Sequence, residues 1–194
     1  MSRRSPGDSE LSVMRDIVGR IDSLGDLIND LMLYARPRPP RLRPIHLRAV
    51  VSDAVTIARA EPVAQLVEIV VEGDEVSASV DDEMIRATLL NLVLNAAQAL
   101  GGSGRVTLTL RHSGNIATIE VRDTGPGIPP EIRNQVFEPF FTTKARGGGL
   151  GLPIAQRTAE LHGGSLALDC PDGGGTVVTL TLPLLPASAQ LESA

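Results

Sequence analysis

The run Asn91-Leu92-Val93-Leu94-Asn95-Ala96-Ala97-Gln98-Ala99 sets two asparagines four residues apart. On a helix that spacing puts both amides on one face. Asparagine suits a helix interior poorly, because its side chain competes for backbone hydrogen bonds. Two of them on one stripe therefore need a reason. Side-chain carbonyl oxygens suit a hard cation such as Mg²⁺; a polar face with satisfied amides is the plainer alternative.

Three further segments combine residue types that can bind something. Asp123-Thr124-Gly125-Pro126-Gly127-Ile128-Pro129 follows a strand pattern. A carboxylate at a strand end can accept from an exocyclic amine, and the glycines allow a flat ring to approach the backbone. The same composition also makes an ordinary tight turn. Phe137-Glu138-Pro139-Phe140-Phe141-Thr142-Thr143-Lys144 holds all 3 phenylalanines of the chain. An apolar cluster beside a glycine-rich stretch suggests a hinged lid, or else a packed loop anchor. Gly147-Gly148-Gly149-Leu150-Gly151-Leu152-Pro153 opens a helix. Free amides and the helix dipole favour phosphate at such a start. It lacks the Gly-Lys-Ser/Thr ending of a P-loop and the glycine spacing of a dinucleotide site.

The elements that must position these segments follow from periodicity. Helices are expected over residues 47–60, 82–100 and 150–161, with a short one over residues 130–136. The glycines Gly101 and Gly102 end the second. Strands are expected over residues 67–72, 76–80, 105–112, 116–122, 165–170 and 176–182. The third and fourth form a hairpin around Ser113-Gly114-Asn115. The implied fold is α+β: a two-layer sandwich, a mixed sheet covered by helices on one face. Ahead of it, Met14, Ile17, Ile21, Leu24, Ile28, Leu31 and Ala35 recur at steps of three and four. That spacing suits the seam of a long helix packing along another helix; a helix lying on its own domain's core is the plainer alternative, against which the polar opposite positions and the linker that follows argue. Arg36-Pro37-Arg38-Pro39-Pro40 stops it, since proline lacks the amide donor.

Composition bounds the function. The chain has 194 residues and a formal charge of −5, so it lacks the basic face of a nucleic-acid binder. Cys170 is the single cysteine, which excludes a disulfide framework and fits a cytoplasmic setting. No apolar run approaches the ~20 residues that span a bilayer, and no signal peptide is visible.

In this order and spacing the four segments resemble the ATP-binding catalytic domain of sensor histidine kinases. That domain belongs to the GHKL, or Bergerat-fold, group with gyrase, Hsp90 and MutL ATPases. The resemblance covers about residues 44–184. Residues 91–99 resemble the N box, 123–129 the G1 box, 137–144 the F box and 147–152 the G2 box. Gly173-Gly174-Gly175-Thr176 resembles a glycine-threonine element near the adenine. The resemblance implies ATP and Mg²⁺ as cofactors. Asn95 would hold Mg²⁺ and Asn91 would assist at the phosphates. Asp123 would accept from the adenine amino group, with Gly125 and Gly127 at the ring and Thr176 supporting it through its hydroxyl. Gly147, Gly149, Leu150 and Gly151 would offer backbone amides to the phosphates, and Lys144 would reach a phosphate.

Hydrolytic members of the wider group resemble one another in a Glu one turn before the metal-binding Asn. Asn91 stands there, and a neutral amide is no general base. That implies a kinase rather than an ATPase. The family's phosphoacceptor motif, a His followed by Glu or Asp and then Arg and Pro, has no match. His46, His112 and His162 read as structural. The expected organisation is therefore residues 9–36 as the second helix of a dimerisation hairpin, 37–44 as a proline-rich linker, 45–185 as the ATP-binding domain and 186–194 as an unstructured tail. The acceptor helix would precede Met1, and this chain would bind ATP without autophosphorylating alone. Implied partners are ATP or ADP, the acceptor helix of the parent kinase, a response regulator, and a second copy through residues 11–35. The alternatives are a GHKL serine kinase of the anti-sigma-factor type, against which the seam helix and linker argue, and a nucleotide-binding module without activity.

Overall fold

A computed structural model describes Met14, Gly25, Ile28, Leu31, Met32, residues 34–144 and residues 148–184. Most of the expected helix over residues 11–35, the tail at residues 186–194 and Gly147 lie outside the described residues.

Seven strands and three α-helices are described: β1 (Arg43–His46), α1 (Leu47–Ala60), β2 (Val67–Gly73), β3 (Ser77–Val80), α2 (Asp82–Leu100), β4 (Gly104–Ser113), β5 (Ile116–Asp123), α3 (Gly151–Leu161), β6 (Ser165–Asp169) and β7 (Val177–Pro183). The main sheet runs β2-β4-β5-β7-β6. Its β2–β4 pair is parallel and the others antiparallel. The expected α+β sandwich with a mixed sheet is what forms.

One face of the sheet builds the core. Val106, Leu108 and Leu110 on β4, Ala117, Ile119 and Val121 on β5, and Leu180 and Leu182 on β7 are buried at alternate positions. They share a single cluster with Val51, Ala54 and Ala58 of α1, Leu89, Val93 and Ala97 of α2, and Ala155 and Ala159 of α3. The intervening strand residues, such as Thr107, Thr118, Glu120 and Thr179, are not buried. A period of two on the strands and of three to four on the helices thus puts all three helices on the same face.

Two details differ from expectation. Only Pro130–Ile132 forms a helical turn, a 3₁₀ one. So short a segment does not nucleate an α-helix unaided, and Arg133 Nε, which donates to the Ile128 carbonyl at 2.8 Å, folds it back into turns. Residues 43–46, which straddle the end of the expected linker at residue 44, form β1, an edge strand paired antiparallel with β3. Pro44 is tolerated there because an edge strand has a side without ladder bonds. The connector is also fastened. Arg38 reaches the Asp81 carboxylate at 2.5 Å, and the Arg41 amide donates to it at 2.7 Å. Asp81 in turn caps α2, accepting from the Met84 amide at 3.1 Å.

Candidate functional site

The site assembles around the last three turns of α2. Its apolar stripe, Ile85, Leu89, Leu92, Val93, Ala96 and Ala97, is buried in the core. That fixes the helix axially and rotationally and leaves Asn91 and Asn95 half-buried at the flank. The Asn95 side-chain amide donates to Asn91 Oδ1 at 3.2 Å, so Asn95 Oδ1 faces the other way. Lys144 Nζ donates to that oxygen at 2.6 Å and also to Gln98 Oε1. The resemblance assigns Lys144 to a phosphate; here its ammonium lies on the asparagine face of α2 instead. Lys144 is exposed as a residue, but its ammonium rests on two amide oxygens, and the partial desolvation there lowers its pKa below the usual lysine value. Among the described residues Lys144 forms no salt bridge.

Asp123 continues the inward phase of β5. Ala117, Ile119, Val121 and Asp123 are all buried, so the strand delivers its last side chain to the helix-covered face. Asp123 Oδ1 accepts from the Gly125 amide at 2.8 Å and from the Thr176 amide at 3.2 Å. Its Oδ2 accepts no hydrogen bond from the described residues. The Asp123 amide donates to the Thr176 carbonyl at 3.0 Å. Thr176 is thus engaged through its backbone, while its hydroxyl makes no hydrogen bond among the described residues.

The Gly173–Thr176 turn packs onto the Asp123 loop. Gly175 donates to the Gly125 carbonyl at 2.7 Å. Gly175 has φ +83°, and a Cβ on it would lie 2.2 Å from the Asp123 carbonyl oxygen, so only glycine closes this contact. Gly127 lies against the Gly175 carbonyl. Gly125 in turn sits beside the Ala99 carbonyl at the end of α2, one turn beyond Asn95. The Asp123 loop and the asparagine face therefore share the same end of one helix.

Helix α3 begins on the other side of Asn91. A Cβ at Gly151 would fall 2.5 Å from Asn91 Oδ1, so the absence of a side chain lets the helix start abut the asparagine. No side chain caps this N-terminus and its first turn carries no acidic residue, in contrast to α2. The free amides are where an anion would bind. Leu150 is fully buried, leaving only its backbone for such a role. Gly149 accepts from the Phe140 amide at 3.0 Å, which ties the lid segment to the helix start. Phe140 has φ +68° and is 57% exposed, the one non-glycine left-handed residue among those described. A cavity of about 350 Å³ between α2 and α3 is lined by Asn91, Gly151, Thr158 and Leu161. It borders the site without containing Asn95 or Asp123.

The structure thus brings Asn91, Asn95, Lys144, Gly149 and Gly151 together at one end and Asp123, Gly125, Gly127 and Thr176 at the other. Gln98 received no role from sequence, although it lies three residues from Asn95 on the same face. The histidines are engaged elsewhere. His46 Nδ1 pairs with Ser77 Oγ at 2.9 Å, and His112 with Asp74 at 3.1 Å. His162 Nε2 accepts from the Asp81 amide at 3.1 Å.

The oxygens fit a hard cation. Asn95 Oδ1 and Gln98 Oε1 are neutral amide oxygens that already hold an ammonium. No group of three or more His, Cys, Asp or Glu suited to a metal occurs among the described residues, so a metal here would take its remaining ligands from what it binds with.

Comparison with known proteins bears on the fold and the family. Residues 80–186 match the family described as histidine kinase-, DNA gyrase B-, and HSP90-like ATPase. The signal transduction histidine-protein kinase AtoS of Escherichia coli strain K12 is 32% identical over 177 residues, covering 90% of this chain and 29% of AtoS. The mycobacterial sensor histidine kinase MprB structure superposes with a TM-score of 0.67 at 31% identity, over 75% of this chain and 99% of that one. Full-length ShkA in complex with AMPPNP gives a TM-score of 0.79 at 26% identity, over 96% of this chain and 41% of ShkA. The chain therefore spans less than half the length of these longer relatives.

Proposed function

This chain belongs to the histidine kinase-, DNA gyrase B-, and HSP90-like ATPase family, as the ATP-binding catalytic domain of a sensor histidine kinase, and on that premise we propose that it holds Mg·ATP between α2, the Asp123 loop and the start of α3, and presents the γ-phosphate to a histidine on a helical hairpin. One observation carries this most directly. The asparagine pair is polarised: Asn95 gives its amide hydrogen to Asn91 and turns its oxygen toward a cation.

The roles follow from the contacts. Asp123 Oδ1 is held by two backbone amides, which leaves Oδ2 to accept from the adenine amino group. Gly125, Gly127 and Thr176 shape the ring's seat. The uncapped start of α3, with Gly149, Leu150 and Gly151, would offer amides to the phosphates, a role the resemblance also gives to Gly147, which lies outside the described residues. Asn95 Oδ1 would hold Mg²⁺, whose charge offsets that of the phosphates. In the transfer an N–P bond forms to an imidazole nitrogen, the bond from the γ-phosphorus to the bridging oxygen breaks, and ADP leaves with the electron pair. The imidazole brings its own lone pair, so no general base is needed, which suits a neutral Asn91. Water, which needs one, is the poorer acceptor.

The acceptor helix, a response regulator and a second copy meeting through residues 11–35 are the partners this reading requires, and an ATP-dependent relay belongs in the cytoplasm. None of the described helices is long and apolar enough to cross a membrane. Residues 45–185, with the fastened connector, would form the nucleotide-binding unit.

Calorimetric titration with ADP and a non-hydrolysable ATP analogue, with and without Mg²⁺, tests the binding. Micromolar to millimolar affinity strengthened by Mg²⁺ is expected, whereas no heat up to millimolar nucleotide sinks the reading. Adding a separate acceptor hairpin with γ-labelled ATP should give acid-labile label on the hairpin, at a slow rate because proximity is lost.

A further inference from the structure

Lys144 makes a contact that nucleotide binding alone does not explain. A lysine that served only phosphate would extend into the space a phosphate fills. Its ammonium instead crosses from the lid segment to α2 and rests on Asn95 Oδ1 and Gln98 Oε1. Both partners are neutral oxygens, and no carboxylate among the described residues pairs with it. The lid is held on its other side by a backbone bond, the Phe140 amide to the Gly149 carbonyl at 3.0 Å, and it turns on itself where the Lys144 amide donates to Thr142 Oγ1 at 3.1 Å. Lys144 is thus the side-chain strut between lid and helix.

We propose that Lys144 is a place-holding cation: in the nucleotide-free domain its ammonium occupies Asn95 Oδ1, anchored beside it by Gln98, and it yields that oxygen when nucleotide arrives with Mg²⁺. The inference rests on the Mg·ATP reading of the site. Two cations do not share one amide oxygen, because their charges repel at contact distance while a neutral amide offsets neither. Once displaced, the ammonium has a better partner in a phosphate oxygen, since charge-assisted hydrogen bonds are stronger than those to neutral amides. The lid is released from α2 in the same event. Lys144 therefore serves the nucleotide most when the metal is missing, and Gln98 is the residue that sets where it waits.

The test is ADP binding by calorimetry, in excess EDTA and in saturating Mg²⁺, for the unaltered chain and for Lys144→Met. The substitution weakens ADP about tenfold in EDTA, the scale of one charge-assisted hydrogen bond, and by less than about threefold in Mg²⁺, where the metal supplies the charge. Equal losses in both buffers, a larger loss in Mg²⁺, or no loss in EDTA overturns the proposal. Absence of ADP binding by the unaltered chain in both buffers overturns the nucleotide reading itself, before Lys144 is altered. A second measurement uses Gln98→Met, which removes the oxygen and keeps the bulk. Amide hydrogen exchange over residues 141–144 rises by about threefold or more without nucleotide as the strut loosens, and the difference disappears with Mg·ADP. Identical exchange in the two nucleotide-free proteins also overturns it.

Discussion

The side chain of Asn95 donates to the side-chain oxygen of Asn91 at 3.2 Å, and this single bond decides which way the Asn95 amide faces. Reversing it would present a donor, not an acceptor, to a cation. Asn91→Leu removes the acceptor while keeping the helix. Losing one neutral hydrogen bond costs about 1 kcal/mol, or roughly fivefold. ADP affinity should fall by that factor, with a greater loss in Mg²⁺ than in EDTA. An unchanged dependence on Mg²⁺ would show that Asn91 does not orient Asn95.

Asp123→Asn should weaken adenine nucleotides by about 1–3 kcal/mol, the penalty for disturbing a buried hydrogen-bonded charge. The new amide keeps one oxygen for the Gly125 and Thr176 amides, so its NH₂ takes the place of Oδ2 and meets the adenine amine donor to donor. Discrimination against guanine nucleotides should shrink as well. Competition binding with ADP and GDP reads both effects, and an unaltered ADP affinity would remove Asp123 from the adenine site.

Gly151→Ala should cost affinity without removing any polar group. The added Cβ would stand 2.5 Å from Asn91 Oδ1, so either that amide or the start of α3 must move. Overpacking of this kind costs about 1–3 kcal/mol. Alanine is otherwise the better helix former by up to about 1 kcal/mol, which offsets only part of that cost, so a modest loss of thermal stability should accompany the fall in nucleotide binding. Wild-type binding by this variant would mean that the contact between Asn91 and the helix start is unimportant.

Acid should loosen the grip between the connector and the domain in two stages. Burial lowers the pKa of His162 below its ordinary 6.5. Its Nδ1–H donates to the Thr158 carbonyl at 2.7 Å while Nε2 accepts from Asp81, which only the neutral ring can do. A depressed folded pKa means that this contribution is complete above 6.5 and is lost as pH falls through the lower folded value. Asp81 follows further down. Desolvation raises its pKa, but Arg38 and the Arg41 and Met84 amides outweigh this and hold it well below the ordinary 3.8. Its share is present above that value and is lost in stronger acid. The melting temperature should fall below pH 6.5, by about 2–4 °C per kcal/mol lost for a chain of this size. His162→Gln should have a lower melting temperature at neutral pH and a flatter acid slope. Parallel slopes for the two proteins would assign the first stage to other groups.

Much of the fold was legible because burial writes a period into the residues. α1 and α2 lie where three-and-four spacing places them, and α2 ends at Gly101, which takes the left-handed cap at φ +63°. The hairpin of β4 and β5 closes around Gly114 as its turn composition requires. Asp123 was legible in a deeper sense: it stands in the inward phase of β5, so alternation alone sends its carboxylate to the covered face. β1 was not legible, since Arg43-Pro44-Ile45-His46 has no strong pattern and becomes a strand only because β3 offers an edge. The Arg38–Asp81 clasp joins residues 43 positions apart, a pairing that no local rule encodes.

What the sequence determined by itself is which groups are available: two amides on one helical face, a carboxylate at a strand end, glycines at a helix start, and no base where a hydrolase carries one. Those follow from residue type and local period, which act over a few bonds. Only the tertiary structure decided how they are wired, with Asn95's oxygen turned outward by Asn91, Lys144 lodged on Asn95 and Gln98, Thr176 engaged through its backbone, and Gly151 pressed against Asn91. Each of those depends on segments distant in the chain being packed to within a hydrogen bond of one another. The core that packs them fixes positions to that precision, whereas a periodicity fixes only the face.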